Sequence, residues 1–253
     1  MKKLILLAFN VLMLCNIGLQ AQSDKMANDF YNPNKVHELR ITFEQDNWPY
    51  LLDSIRIQGD GLLLGDAQVD GNTYENVGIR FRGSKSFTTG SKRNAFHIKL
   101  NYINKNQNHQ GYKTLKLSNA LRDPSMVREV LSYEIARKYL PAPKAGYIKL
   151  YINGENYGLF VNLQALDDLF LDQNFGSHDN TTFKCGQHVN EGPKNCKKKI
   201  SGSLQYEKNP ACYTANFEMK SKEGWDDLIE LTRILNEEPD NVGSVLNLSL
   251  IHI

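Results

Sequence analysis

"AGYIKLYINGENYGLFVNLQ", residues 145–164, is the stretch on which the reading of this chain turns. Ile148, Leu150 and Ile152 alternate with polar or aromatic neighbours, the period of a strand that buries one face. Asn153-Gly154 then supplies two residues that enter left-handed conformations cheaply. Two antiparallel strands joined by a tight turn are predicted.

The same pattern recurs upstream. "AQVDGNTYENVGIRFRG" (67–83) holds alternating runs on either side of Asp70-Gly71, a second hairpin. "VHELRITF" (36–43), "RNAFHIKLNY" (93–102) and "YKTLKLSNA" (112–120) read as further strands. In the second of these, Phe96, Ile98 and Leu100 share one face, and Ala95, His97 and Lys99 the other. Two helices interrupt them. "DNWPYLLDSI" (46–55) has Asp46 as its N-cap, Pro49 in the first turn, and Trp48, Leu51, Leu52 and Ile55 on one side. "RDPSMVREVLSYEIARKYL" (122–140) has Asp123 as N-cap and Pro124 at its first position. It stops before Pro141, and Val127, Val130, Leu131 and Ile135 are predicted to face the core. After residue 164 come a short amphipathic helix, "ALDDLFLDQNF" (165–175), a lysine-bearing loop and a last helix, "GWDDLIELTRIL" (224–235). The pattern predicts an α+β chain of mostly antiparallel strands with one long helix set between the third and fourth main strands.

The N-terminus belongs to targeting. Lys2 and Lys3 precede an apolar run from Leu4 to Leu14, and Ala21 offers a small residue for cleavage. Residues 1–21 therefore read as a secretory signal peptide, residues 22–35 as a polar tail, and the protein as exported to the periplasm, cell surface or medium. No later segment predicts a membrane span. Cleavage removes two lysines and no acids, so the formal charge of +2 falls to 0. A neutral chain lacks the strongly basic face that nucleic acid requires, and no nucleic-acid partner is expected.

Three cysteines follow the leader: Cys185, Cys196 and Cys212. In an oxidising compartment Cys185 and Cys196 are the candidates for a disulfide across their loop, which leaves Cys212 odd. Cys185, His188 and Cys196 lack paired C-x-x-C spacing and a fourth nearby ligand, so no metal site is assigned.

Several blocks occur in a fixed order: "YENVGIRFRGSKS" (74–86), "NAFHIKL" (94–100), "KTLKLSNALRDPSMVREVLSYEIAR" (113–137), "PAPKAGYIKLYINGENYGLFVNLQALDDLFL" (141–171) and "FKCG" (183–186). Together they resemble the signature blocks of the CotH kinase family. The resemblance implies an atypical protein-kinase-like fold, with a mostly antiparallel N-lobe sheet and one long helix over 36–163. A hinge and the start of a helical C-lobe would occupy 164–247. It also implies binding of ATP and Mg²⁺ and phosphoryl transfer to serine or threonine of a protein substrate. That chemistry consists mainly of positioning and charge neutralisation.

Site roles follow only from this resemblance. Arg82, Gly83 and Ser84 match a basic, small-residue turn that would cradle phosphate. Lys92, Arg93 and Lys99 are the alternatives for the lysine-type phosphate contact, and Lys99 reads equally as a solvent-facing strand residue. Glu129 is the candidate partner of that cation, since Glu134 is explained by an i,i+4 pair with Lys138. Gln164 stands at the adenine-side hinge. The family's catalytic aspartate and D-x-D metal block are expected beyond this sequence. The chain thus reads as an inactive fragment of an active parent, with ATP and Mg²⁺ binding expected of the parent and weak or absent in the fragment, and with Leu248–Ile253, "LSLIHI", as translated sequencing adapter. The alternative reading is a non-catalytic surface binding or structural domain on the same scaffold.

Overall fold

The computed structural model describes residues 29–59, 61–83, 85–185, 193, 195–196 and 202–237. The expected leader and residues 248–253 lie outside them. Seven predicted strand segments form: β1 Val36–Thr42, β2 Leu63–Val69, β3 Asn72–Arg82, β4 Ala95–Lys99, β5 Thr114–Ser118, β6 Ala145–Ile152 and β7 Glu155–Gln164. Both tight turns adopt the left-handed geometry that their residues allow. Asp70 and Gly71 have φ of 47° and 87°, and Asn153 and Gly154 have φ of 47° and 82°.

The strands close into a barrel in the order β1-β2-β3-β4-β5-β7-β6. This corrects the expected kinase-like sheet with a helical lobe. Closure comes from β1, which pairs antiparallel with β2 and parallel with β6, Leu39 lying opposite both Val69 and Leu150. Pairing on both sides removes the sheet edges that an open lobe would leave. One face of each strand points inward: Leu39, Ile79, Phe96, Ile98, Leu115, Leu117, Ile148, Leu150 and Phe160 are fully buried. Each such side chain contributes about 2 kcal/mol of hydrophobic stabilisation.

Helix α1, Trp48–Gln58, lies on the barrel with Trp48 and Leu52 in its core. Trp48 stacks on Phe43 at 5.0 Å. Helix α2, Arg128–Ala136, is nine residues long, shorter than predicted. Asp123 precedes it and accepts from the Arg128 backbone N–H at 2.9 Å and from the Ser125 hydroxyl at 2.5 Å. The predicted core face of this helix is also corrected. Val130 is buried against Ala145, Val161 and Leu163, whereas Val127, Leu131 and Ile135 are 47%, 47% and 48% exposed. An i,i+4,i+8 stripe identifies one side of a helix but not which side the tertiary fold covers.

The chain divides into two compact units, ending at Phe170 and beginning at Leu171. Helix α3, Asp168–Phe175, crosses that boundary. In the second unit β8, Phe183–Cys185, pairs antiparallel with β9, Phe217–Met219, and α4 runs over Trp225–Glu237. Phe183, Tyr213, Phe217 and Leu228 form its core, and the Tyr213 hydroxyl meets Thr232 Oγ1 at 2.6 Å. The disulfide joins Cys196 to Cys212, not Cys185 to Cys196. Cys185 ends β8, where the ladder holds it opposite Phe217 with an exposed thiol. Cys212 is buried in the 3₁₀ turn Pro210–Cys212 before β9, with a Cα separation of 5.6 Å to Cys196. No described helix is long and apolar enough to cross a membrane.

Candidate functional site

Alternation along β3, β4 and β5 decides where their basic residues go. Ile79, Phe81, Phe96, Ile98, Leu115 and Leu117 fill the barrel, so Arg80, Arg82, His97, Lys99 and Lys116 share its outer face. Register then aligns them. Arg80 lies opposite His97, and His97 opposite Lys116, a row of basic residues across three strands. The middle member is uncharged at neutral pH, so the two cations of the row, Arg80 and Lys116, stand on either side of a neutral imidazole. His97 registers that field. Burial, followed by the charges of Arg80, Lys116, Arg82 and Lys99, lowers its pKa from 6.5 to about 4.

A cleft of about 520 Å³ is lined in part by Ser86, Ser118 at the end of β5, Asn119, Asp123, Glu129 and Tyr133. Arg82 faces this side: burial lowers its pKa, and the charges of Glu129 and Tyr133 oppose that shift. The connection from β5 to α2 is strained where it borders the cleft. Ala120, Arg122 and Met126 adopt positive φ of 48°, 62° and 58°, an arrangement that costs side-chain-bearing residues energy and concentrates at functional sites.

The loop after β3 begins with a backbone conformation that favours glycine. A Cβ on Gly83 would sit 2.1 Å from Ser86 Oγ, and its φ is 92°. Asn94 closes the loop from within, accepting from the Thr88 N–H at 2.9 Å and donating to its carbonyl at 2.8 Å. Asn119 donates to the carbonyls of Ser86, at 3.2 Å, and Arg93, at 2.7 Å.

The structure gathers some of the residues singled out in the sequence and separates others. Arg82, Gly83 and Lys99 lie on or beside the basic face, and Glu129 acts on Arg82. Ser84 lies outside the described residues, as does His188 of the cysteine cluster. Lys92 is exposed and bound to Glu155 at 2.6 Å, which raises its pKa. Arg93 donates to the carbonyls of Tyr157 and Leu159, at 3.3 and 3.1 Å, and lies over the Phe160 ring at 4.6 Å. Both thus engage the β6–β7 hairpin. Gln164 is buried and accepts from the Lys144 N–H at 3.0 Å. Arg80, Lys116 and Tyr133 were not singled out. The signal for the first two was the alternation in "IRFR", "HIK" and "LKL", whose register only pairing supplies.

Together these features define a closed β-barrel with a basic outer row and, in reach of Arg82, the helix-borne carboxylate of Glu129 in a polar cleft. Residues 79–249 match the sequence profile of the CotH kinase protein family, and the chain belongs to that family. No curated protein matches the chain.

Proposed function

We propose that the outer face of β3–β5 binds the polyphosphate of ATP for phosphoryl transfer to a serine or threonine hydroxyl of a protein substrate, an activity of the parent protein and not of this chain alone. The observation that carries this is the opposed row Arg80–His97–Lys116, flanked by Arg82 and Lys99. Four cations on one face, Arg80, Arg82, Lys99 and Lys116, set around the neutral His97, would neutralise charge as phosphoryl transfer requires. The Gly83 turn, with a φ of 92° and no side chain of its own, lets backbone approach an anion closely. Membership of the CotH kinase protein family supports the same reading.

The groups present fit a polyphosphate. They do not make a Mg²⁺ site: among the described residues no cluster of three or more His, Cys, Asp or Glu gathers. No step is therefore derived through the metal. When bound with ATP it would neutralise phosphate charge. Arg82 would hold phosphate oxygens, and Glu129 would orient the Arg82 guanidinium. The proposal includes export, supported by the Cys196–Cys212 disulfide, since such bonds persist in oxidising compartments.

One observation favours a second reading, a non-catalytic binding domain: the exposed stripe Val127, Leu131 and Ile135 on α2. Calorimetry with ATP, with and without Mg²⁺, tests the first reading. Saturable binding that Arg82→Gln weakens about tenfold is expected, the loss of one hydrogen bond to a charged group. No binding of ATP in either condition would leave the second.

A further inference from the structure

We propose that α1 is the positioning element of the loop that opens the phosphate-facing site, through Arg56 and Asp53. The proposal rests on the polyphosphate reading for its ligand, but not for its structural half.

Arg56 and Asp53 stand three residues apart on α1 and so share a side of the helix. They grip the β3–β4 connection near both ends. Arg56 donates to the Gly83 carbonyl through Nη2 at 2.7 Å and Nε at 3.3 Å, and its guanidinium lies 5.4 Å from the centre of the Phe87 ring. Asp53 Oδ2 accepts from the Gly90 N–H at 2.8 Å. Asp53 is only 8% exposed, and its other oxygen, Oδ1, has no hydrogen-bond partner among the described residues. A buried carboxylate with an idle oxygen is costly for a surface helix to carry. Its placement is explained if holding Gly90 is what it is for.

The helix supplying these grips is anchored in the barrel core. Trp48 and Leu52 sit in the barrel core, and Trp48 stacks on Phe43. Force on the loop is therefore referred to the barrel. The grip matters at Gly83 because Arg82, whose charge meets Glu129, is the preceding residue. If the Gly83 carbonyl lets go of α1, the Arg82 guanidinium loses its fixed base, although the barrel stays closed. Arg56 and Asp53 then act on an anion through Arg82, without touching it.

The test uses the full chain and inorganic tripolyphosphate as probe, with Arg56→Ala, Arg56→Lys and Asp53→Ala. Amide hydrogen exchange is measured at 83–94 and in β4–β5, beside calorimetric affinity. Arg56→Ala is expected to weaken tripolyphosphate binding about tenfold and to speed exchange within 83–94, with the β4 and β5 amides unchanged. Arg56→Lys, which keeps one donor within reach of Gly83, should recover part of both effects. Asp53→Ala should speed exchange at Gly90. Unchanged loop exchange in both alanine variants would overturn the proposal. So would a uniform rise across the strands, which would make α1 an ordinary piece of core. Should the unaltered chain bind no tripolyphosphate, the polyphosphate reading fails, and loop exchange still decides the positioning role.

Discussion

Helices α1 and α2 lie against the same barrel and are held in opposite ways. From α1, Trp48 and Leu52 enter the core shared with Phe43, Leu39 and Ile41. From α2 only Val130 is buried, while Val127, Leu131 and Ile135 face outward. The first helix is fixed by apolar packing and spends its polar residues, Arg56 and Asp53, on a loop. The second is lightly anchored and presents Glu129 and Tyr133 to Arg82 and the cleft. Apolar content ranks the two in the same order: α1 carries Trp48, Leu51, Leu52, Ile55 and Ile57, and α2 only Val130, Leu131 and Ile135 among its branched aliphatic and tryptophan side chains.

The largest expected break in this contrast is Leu52→Ala. A fully buried leucine leaves a cavity, and thermal or denaturant unfolding should show a loss of about 2–5 kcal/mol. A loss under about 1 kcal/mol would mean that α1 is not fixed in the core.

Next in size is the cost of keeping His97 neutral. Its pKa is about 4 in the fold against 6.5 ordinarily, so the unfolded chain binds the extra proton between those values. Stability is full above 6.5 and falls as pH drops towards 4, by about 3 kcal/mol in all. His97→Gln should remove that slope from the stability–pH curve. A parallel curve would show that neither burial nor the surrounding cations lower the pKa of His97.

Smaller again is the contrast between two basic groups near the loop. Arg82→Gln should weaken tripolyphosphate binding about tenfold, whereas Lys92→Gln, committed to Glu155, should change it by about twofold or less. Equal losses would spread the site beyond the basic row. The smallest effect belongs to α2: Leu131→Ala should cost about 0.5 kcal/mol or less. A loss near that of Leu52→Ala would mean that something covers the stripe in solution.

How far the sequence reached is clear from particular residues. Asp70-Gly71 and Asn153-Gly154 announced their hairpins because φ above zero is a local property of those residues. Alternation gave the inner and outer faces of β4, so His97 and Lys99 were placed together. Barrel closure was not legible, since it depends on β1 meeting β6, with Leu39 opposite Leu150 across more than a hundred residues. The orientation of α2 was legible in part: Val130 was expected in the core and is buried, whereas Val127, Leu131 and Ile135 of the same expected face are exposed. Of the site, Arg82 and Glu129 were legible, but the row was not. Register, which no single strand encodes, puts Arg80, His97 and Lys116 in line. Lys92 and Arg93 were drawn away by Glu155 and the β7 carbonyls, partners more than sixty residues distant.

The most direct measurement is an NMR titration of the His97 ring with and without tripolyphosphate. An anion seated on the basic row favours the imidazolium, so its pKa should rise from about 4 by about one unit or more. A His97 titration unchanged at saturating tripolyphosphate would contradict anion binding at this face.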